Sequence, residues 1–129
     1  MDRQAIRQAR EYHARREIRR RQSREQLRQE QYRRAYAAIL ILAPTFPTIR
    51  AVYLFGSLVQ PGRFGPWSDL DVAILCDDVE TESKFWRDLE AMLQRDVDLR
   101  PCAGSVAWAV ATYGECIYER EVPDPGAQH

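Results

Sequence analysis

An α/β fold is predicted: a small mixed sheet of three or four strands with helices mainly on one face. Three observations point to it. Runs rich in β-branched and other apolar residues at 49–55 and 69–75, and a shorter one at 96–100, have strand length and are bounded by Gly or Pro signals. Between the second and third, Phe85, Trp86, Leu89, Met92 and Leu93 repeat at i, i+3, i+4, i+7, the stripe of an amphipathic helix over Thr81 to Gln94. At 129 residues the chain can close only one modest core.

Along the chain, the first expected element is helical. Residues 1–36 hold 12 arginines and no lysine against 5 acidic residues, a net +7 that the remaining chain offsets with −7. Over Met1 to about Gln22 large apolar residues are few, and Ile6, Tyr12 and Ile18 recur every six positions, which scatters them around a helix. Arg, Gln, Glu and Ala still favour helix, so residues 1–22 are expected to form a solvated basic arm, frayed at its start. Ser23 with Gln26 makes a capping pattern ahead of Leu27, Ala35, Ile39 and Leu42, and predicts a new helix that Pro44 stops.

Ile49 to Phe55 then reads as a buried strand ending at Gly56-Ser57. Leu58 to Ser68 holds two Gly and two Pro and reads as loop, after at most one helical turn. After the strand at 69–75 and the helix at 81–94, Pro101 ends the third strand, Ser105 can cap a short helix through about Thr112, and residues 114–118 can add an edge strand. The expected divisions are a basic arm at 1–22, one domain at 23–121 and a disordered tail at 122–129.

Composition excludes several classes. Cys76, Cys102 and Cys116 are odd in number and include no C-x-x-C pair, against both a disulfide framework and a zinc finger, so a reducing cytoplasm is expected. The longest aliphatic run, Ala37 to Ala43, has seven residues where a membrane span needs roughly 20. The charged N-terminus does not read as a secretory leader. No membrane partner is expected.

The chemistry centres on Asp69 and Asp71. Two apart in a strand, their carboxylates leave the same face, while Leu70, Val72 and Ile74 face the other way. Two carboxylates at the mouth of a buried strand need a raised pKa or a cation, and hard oxygen donors suit Mg²⁺. An isolated Asp-x-Asp is most often a turn or cap beside a solvated residue. Here it follows an apolar strand, a Gly-Ser bend whose backbone can approach a phosphate, and a loop, and precedes a helix and a strand carrying another Asp.

That ordered set resembles the minimal nucleotidyltransferases (MNT) of the DNA polymerase β-like superfamily. The likeness runs through Val52-Tyr-Leu-Phe-Gly-Ser57, Gly62-Arg-Phe-Gly-Pro-Trp-Ser-Asp-Leu-Asp71 and Val97-Asp98-Leu99, about half the chain. One departure is the spacer, eleven residues from Leu58 to Ser68 where the family pattern has ten, with Pro61 as the inserted residue; a loop absorbs one residue cheaply. The resemblance implies a polymerase-β-like core in which Gly56 and Ser57 hold the β- and γ-phosphates of ATP as substrate. It also implies that Asp69 and Asp71 bind two Mg²⁺ ions and that Asp98 completes the site and helps deprotonate the attacking hydroxyl. Asp96, on the same strand face, is the rival for the third position; Asp98 is preferred because it sits between apolar neighbours and Arg95 can neutralise Asp96 locally.

Other candidates carry weaker signals. Arg63 can reach triphosphate oxygens or be a solvated loop arginine. Ser68 is placed with the nucleotide-binding residues and is expected to cap or orient the aspartates. Trp67 is expected to pack beneath the loop, with stacking on a base as the alternative, and Trp86 and Trp108 are expected in the core. His13 and His129 lie in the arm and tail and are not expected to act as bases.

The resemblance further implies an antitoxin that transfers AMP to a hydroxyl of a HEPN-type ribonuclease toxin, because residues 49–100 hold the whole centre and little is left to recognise an acceptor. Two other classes compete: a catalytically silent nucleotide- or toxin-binding module, and an RNA-binding protein using the arginine arm. Nucleic acid is the less favoured partner because no aromatic platform accompanies the arginines.

Overall fold

The computed structural model describes residues 2–121; the tail expected at 122–129 lies outside them. Helix α1 runs unbroken over Arg3–Leu42. No Gly or Pro interrupts this span, and the Asp2 side chain caps its start by accepting from the Gln4 N–H at 3.2 Å. Ser23 therefore does not open a second helix. A capping box starts a helix only where the preceding residue leaves helical backbone, and Gln22 does not. Pro44 ends α1 as expected, through a 3-10 turn at Ala43–Thr45.

Strand β1, Ile49–Phe55, leads into a 3-10 turn at Gly56–Val59 and a loop to β2, Leu70–Cys76. Helix α2, Val79–Leu93, crosses to β3, Val97–Pro101; α3, Gly104–Tyr113, leads to the edge strand β4, Glu115–Glu119. The cap of α3 is Ala103, and Ser105 lies inside the first turn. The sheet order is β3-β2-β1-β4, with β1 antiparallel to both β2 and β4 and β2 parallel to β3.

Alternation along the strands divides the core. Val52, Leu54, Leu70, Val72, Ile74, Val97 and Leu99 point into one cluster with Ala35, Ala38 and Ile39 of α1 and Phe85, Leu89 and Leu93 of α2. Phe55 and Ala73 point the other way, onto Ala109 of the short α3, with Tyr53, Val106 and Val110 partly buried around them. The two long helices thus cover one face and α3 alone covers part of the other.

Side chains lock the second half of α1 in place. Arg28 donates to the Leu58 carbonyl at 3.0 Å, Arg34 to the Leu93 carbonyl at 2.9 Å, and the Tyr32 hydroxyl to the Glu115 carboxylate. The first half is exposed, and Glu17 pairs there with Arg21 and Arg24 of the same helix. Among the described residues no helix is long and apolar enough to cross a membrane.

Candidate active site

The parallel register sets Asp71 of β2 directly beside Asp98 of β3, and β1 ends with Phe55 opposite Asp71. Because Leu70 and Val72 enter the large core, Asp71 faces the α3 side, and Asp98 does the same between Val97 and Leu99. Asp69 stands one residue before β2. One carboxylate oxygen from each of Asp69, Asp71 and Asp98 lies within 4.8 Å of the others, with Asp69 exposed and the other two half-buried. Asp96 is exposed just ahead of β3 and outside this group.

Gly56 closes the site from β1. Its φ is +75°, and a Cβ there would stand 2.1 Å from Asp71 Oδ2. The glycine is required twice over, by a left-handed backbone and by the carboxylate lying against it. The turn that follows is fastened by Gln60, whose N–H reaches the Ser57 carbonyl at 3.2 Å and whose side-chain amide reaches the Gly56 carbonyl at 3.0 Å. Ser57 sits in this turn, half-buried.

The loop between the turn and β2 hangs on buried Phe64. Ser68 Oγ accepts from the Gly65 N–H at 2.8 Å, so its side chain closes the loop on itself; among the described residues it makes no hydrogen bond to the aspartates. Arg95 donates to the Ser68 carbonyl and lies over the Phe64 ring, 5.6 Å from its centre; it braces the loop and forms no ion pair with Asp96 among the described residues. Arg63 is exposed on this loop.

The tryptophans depart from expectation. Trp67 is 96% exposed because Phe64 already occupies the space beneath the loop. Trp108 is 67% exposed: α3 presents Val106, Ala109 and Val110 to the sheet, and Trp108 falls outside that stripe. Trp86 lies at the core's edge, 41% exposed, its indole N–H donating to the Val97 carbonyl at 2.8 Å.

Arg100 completes the constellation, and sequence reading missed it. Two residues beyond Asp98 on one strand face, it sends Nε to Asp98 Oδ1 at 3.2 Å and Nη2 to Oδ2 at 3.0 Å. The signal was the same period of two that pairs Asp69 with Asp71. Burial, then the charges of Asp98 and Asp69, push the Asp71 carboxyl up to about 6, with Arg100 opposing. Three carboxylates against one guanidinium leave excess negative charge on an all-oxygen donor set, open to solvent on the Asp69 side. Such donors fit a hard divalent cation that completes its shell with water or phosphate oxygens.

The family model for polymerase beta nucleotidyltransferases matches residues 38–122, about two thirds of the chain. No curated protein matches. Among solved structures the chain is similar to one of a toxin-antitoxin with AMP-PNP, at 29% identity and TM-score 0.55, over 67% of this chain and 74% of that one. It is also similar to a mutant of the toxin-antitoxin MntA-HpeT, at 27% identity and TM-score 0.54 over the same shares. For a second mutant of that pair the values are 29% and 0.50, over 64% of this chain and 70% of that one. With the matched span running from the docked end of α1 through every strand, the chain belongs to the polymerase beta nucleotidyltransferase family.

Proposed function

We propose that this chain moves a nucleoside monophosphate, AMP from ATP, to a hydroxyl of a partner protein, and that the partner is a HEPN-type toxin whose antitoxin it is. One observation carries the reading: Asp69, Asp71 and Asp98 converge within 4.8 Å, with Asp71 lying against Gly56. The similar toxin-antitoxin with AMP-PNP, an ATP analogue, supports the nucleotide and a place in a toxin-antitoxin pair.

Asp69, Asp71 and Asp98 would hold two Mg²⁺ ions, which when bound supply charge stabilisation for the entering and leaving oxygens at the α-phosphate. Gly56 and Ser57 would take the β- and γ-phosphates, the glycine by letting the backbone come close and the serine by donating its hydroxyl. Asp98 would accept the proton of the attacking hydroxyl as its oxygen bonds to the α-phosphorus and the bond to pyrophosphate breaks. Arg63 would reach triphosphate oxygens from the loop that Ser68 fastens. ATP use and free Cys76, Cys102 and Cys116 support a cytoplasmic location.

Incubation with labelled ATP, Mg²⁺ and the product of the neighbouring gene tests this. Label on the partner, lost in Asp69→Asn and Asp71→Asn, supports the transferase. A tight complex without transfer makes the chain a silent binding module. Salt-sensitive RNA affinity that survives both substitutions and vanishes without the basic arm makes it an RNA-binding protein.

A further inference from the structure

We propose that Arg100 is a positioning residue that holds Asp98 in place in the metal-free protein and turns to a nucleotide phosphate once a divalent cation takes that carboxylate. The inference rests on the transferase reading above. Arg100 engages both oxygens of Asp98, so the guanidinium fork occupies directions that a cation would use. Asp69 and Asp71 have no ion pair among the described residues, which makes Asp98 the carboxylate that is already neutralised. Opposite Arg100 in the register stands Ala73, whose small side chain does not pin the arginine, and the Arg100 side chain is largely solvent-exposed.

These features give the arginine two competing partners. Without metal, the cluster of carboxylates attracts it. With a divalent cation between the carboxylates that attraction becomes repulsion at short range, while a triphosphate brings new negative charge whose oxygens match the planar fork. Arg100 therefore opposes metal alone and favours metal together with nucleotide.

The test is a pair of titrations on the full chain, Mn²⁺ alone followed by paramagnetic resonance, then AMP-PNP in saturating Mn²⁺ by calorimetry. Arg100→Gln is expected to tighten Mn²⁺ binding several-fold and weaken AMP-PNP binding about tenfold, with Arg100→Lys between it and wild type in both. Opposite signs in the two titrations are the signature, since a purely structural role weakens both. Affinities that are unchanged, or that move together, overturn the proposal while leaving the transferase reading intact if Asp71→Asn still abolishes Mn²⁺ binding. Wild type and Asp71→Asn with equal Mn²⁺ and AMP-PNP affinities overturn the transferase reading and the role of Arg100 with it. Thermal unfolding of each variant verifies the fold, and the exposed position of Arg100 makes a large loss of stability unexpected.

Discussion

Val72 and Ile74 face the sheet's covered side, where α1 and α2 seal them with Leu54, Phe85 and Leu89; Asp71 and Ala73, their neighbours in the chain, face the side that only α3 partly shields. The first face is dry and apolar from strand to strand. The second is apolar only toward Phe55 and Ala109, and at its rim it gathers carboxylates and an arginine. Alternation lets the same strands serve both ends, since successive side chains point to opposite faces and a side chain exchanged on one face leaves those of the other in place. The difference teaches that stability here is concentrated on one face so that charge can be crowded on the other.

The sharpest way to break this contrast is to open the covered face. Phe85→Ala is expected to lose about 3–5 kcal/mol in denaturant unfolding, and a loss below about 1 kcal/mol would mean that face does not carry the fold. Next, Gly56→Ala forces a side chain into left-handed backbone and against Asp71; a loss of about 2 kcal/mol is expected, with Mn²⁺ affinity falling as Asp71 is displaced.

Smaller and of opposite sign is the effect at Asp71. Its carboxyl is raised from an ordinary 3.8 to about 6, so the folded state favours the neutral form. That contribution to stability is complete below about pH 4 and is lost as pH rises through 6. Asp71→Asn in metal-free buffer is therefore expected to raise Tm at pH 7.5, by only about 3 °C because the half-buried carboxylate is screened by water, and to leave it unchanged at pH 3.5. A destabilising Asn at pH 7.5 would show that the crowding costs nothing. The smallest effect belongs to the exposed start of α1, which lies on neither face: deleting residues 2–21 is expected to shift Tm by less than about 2 °C.

Periodicity made much of this legible. The strands and α2 follow from alternation and from the i, i+3, i+4, i+7 stripe; β1 has the expected bounds and the others differ by one or two residues, as fraying ends do. Asp69 and Asp71 were legible from their spacing of two, whereas Asp98 entered through the family resemblance, and it is the parallel register of β2 and β3 that sets it beside Asp71. Ser23 misled because a local cap pattern carries no information about whether the chain arrives already helical. Trp67 and Trp108 misled because size predicts burial only where a cavity awaits, and the nearby volume had gone to Phe64 and to the small residues of α3. Arg95 was assigned by sequence adjacency, whereas its length lets it reach the Ser68 carbonyl on another segment.

The side-by-side register of Asp71 and Asp98 has a consequence for how insertions act on this molecule. Their separation is graduated by the interstrand repeat, roughly 4.8 Å, as marks on a ruler are fixed by its stock rather than by the hand holding it. The loop from Gln60 to Asp69 can change what surrounds the carboxylates without stretching the gap between these two, so a longer or shorter loop there would reshape the rim while the sheet keeps its gauge.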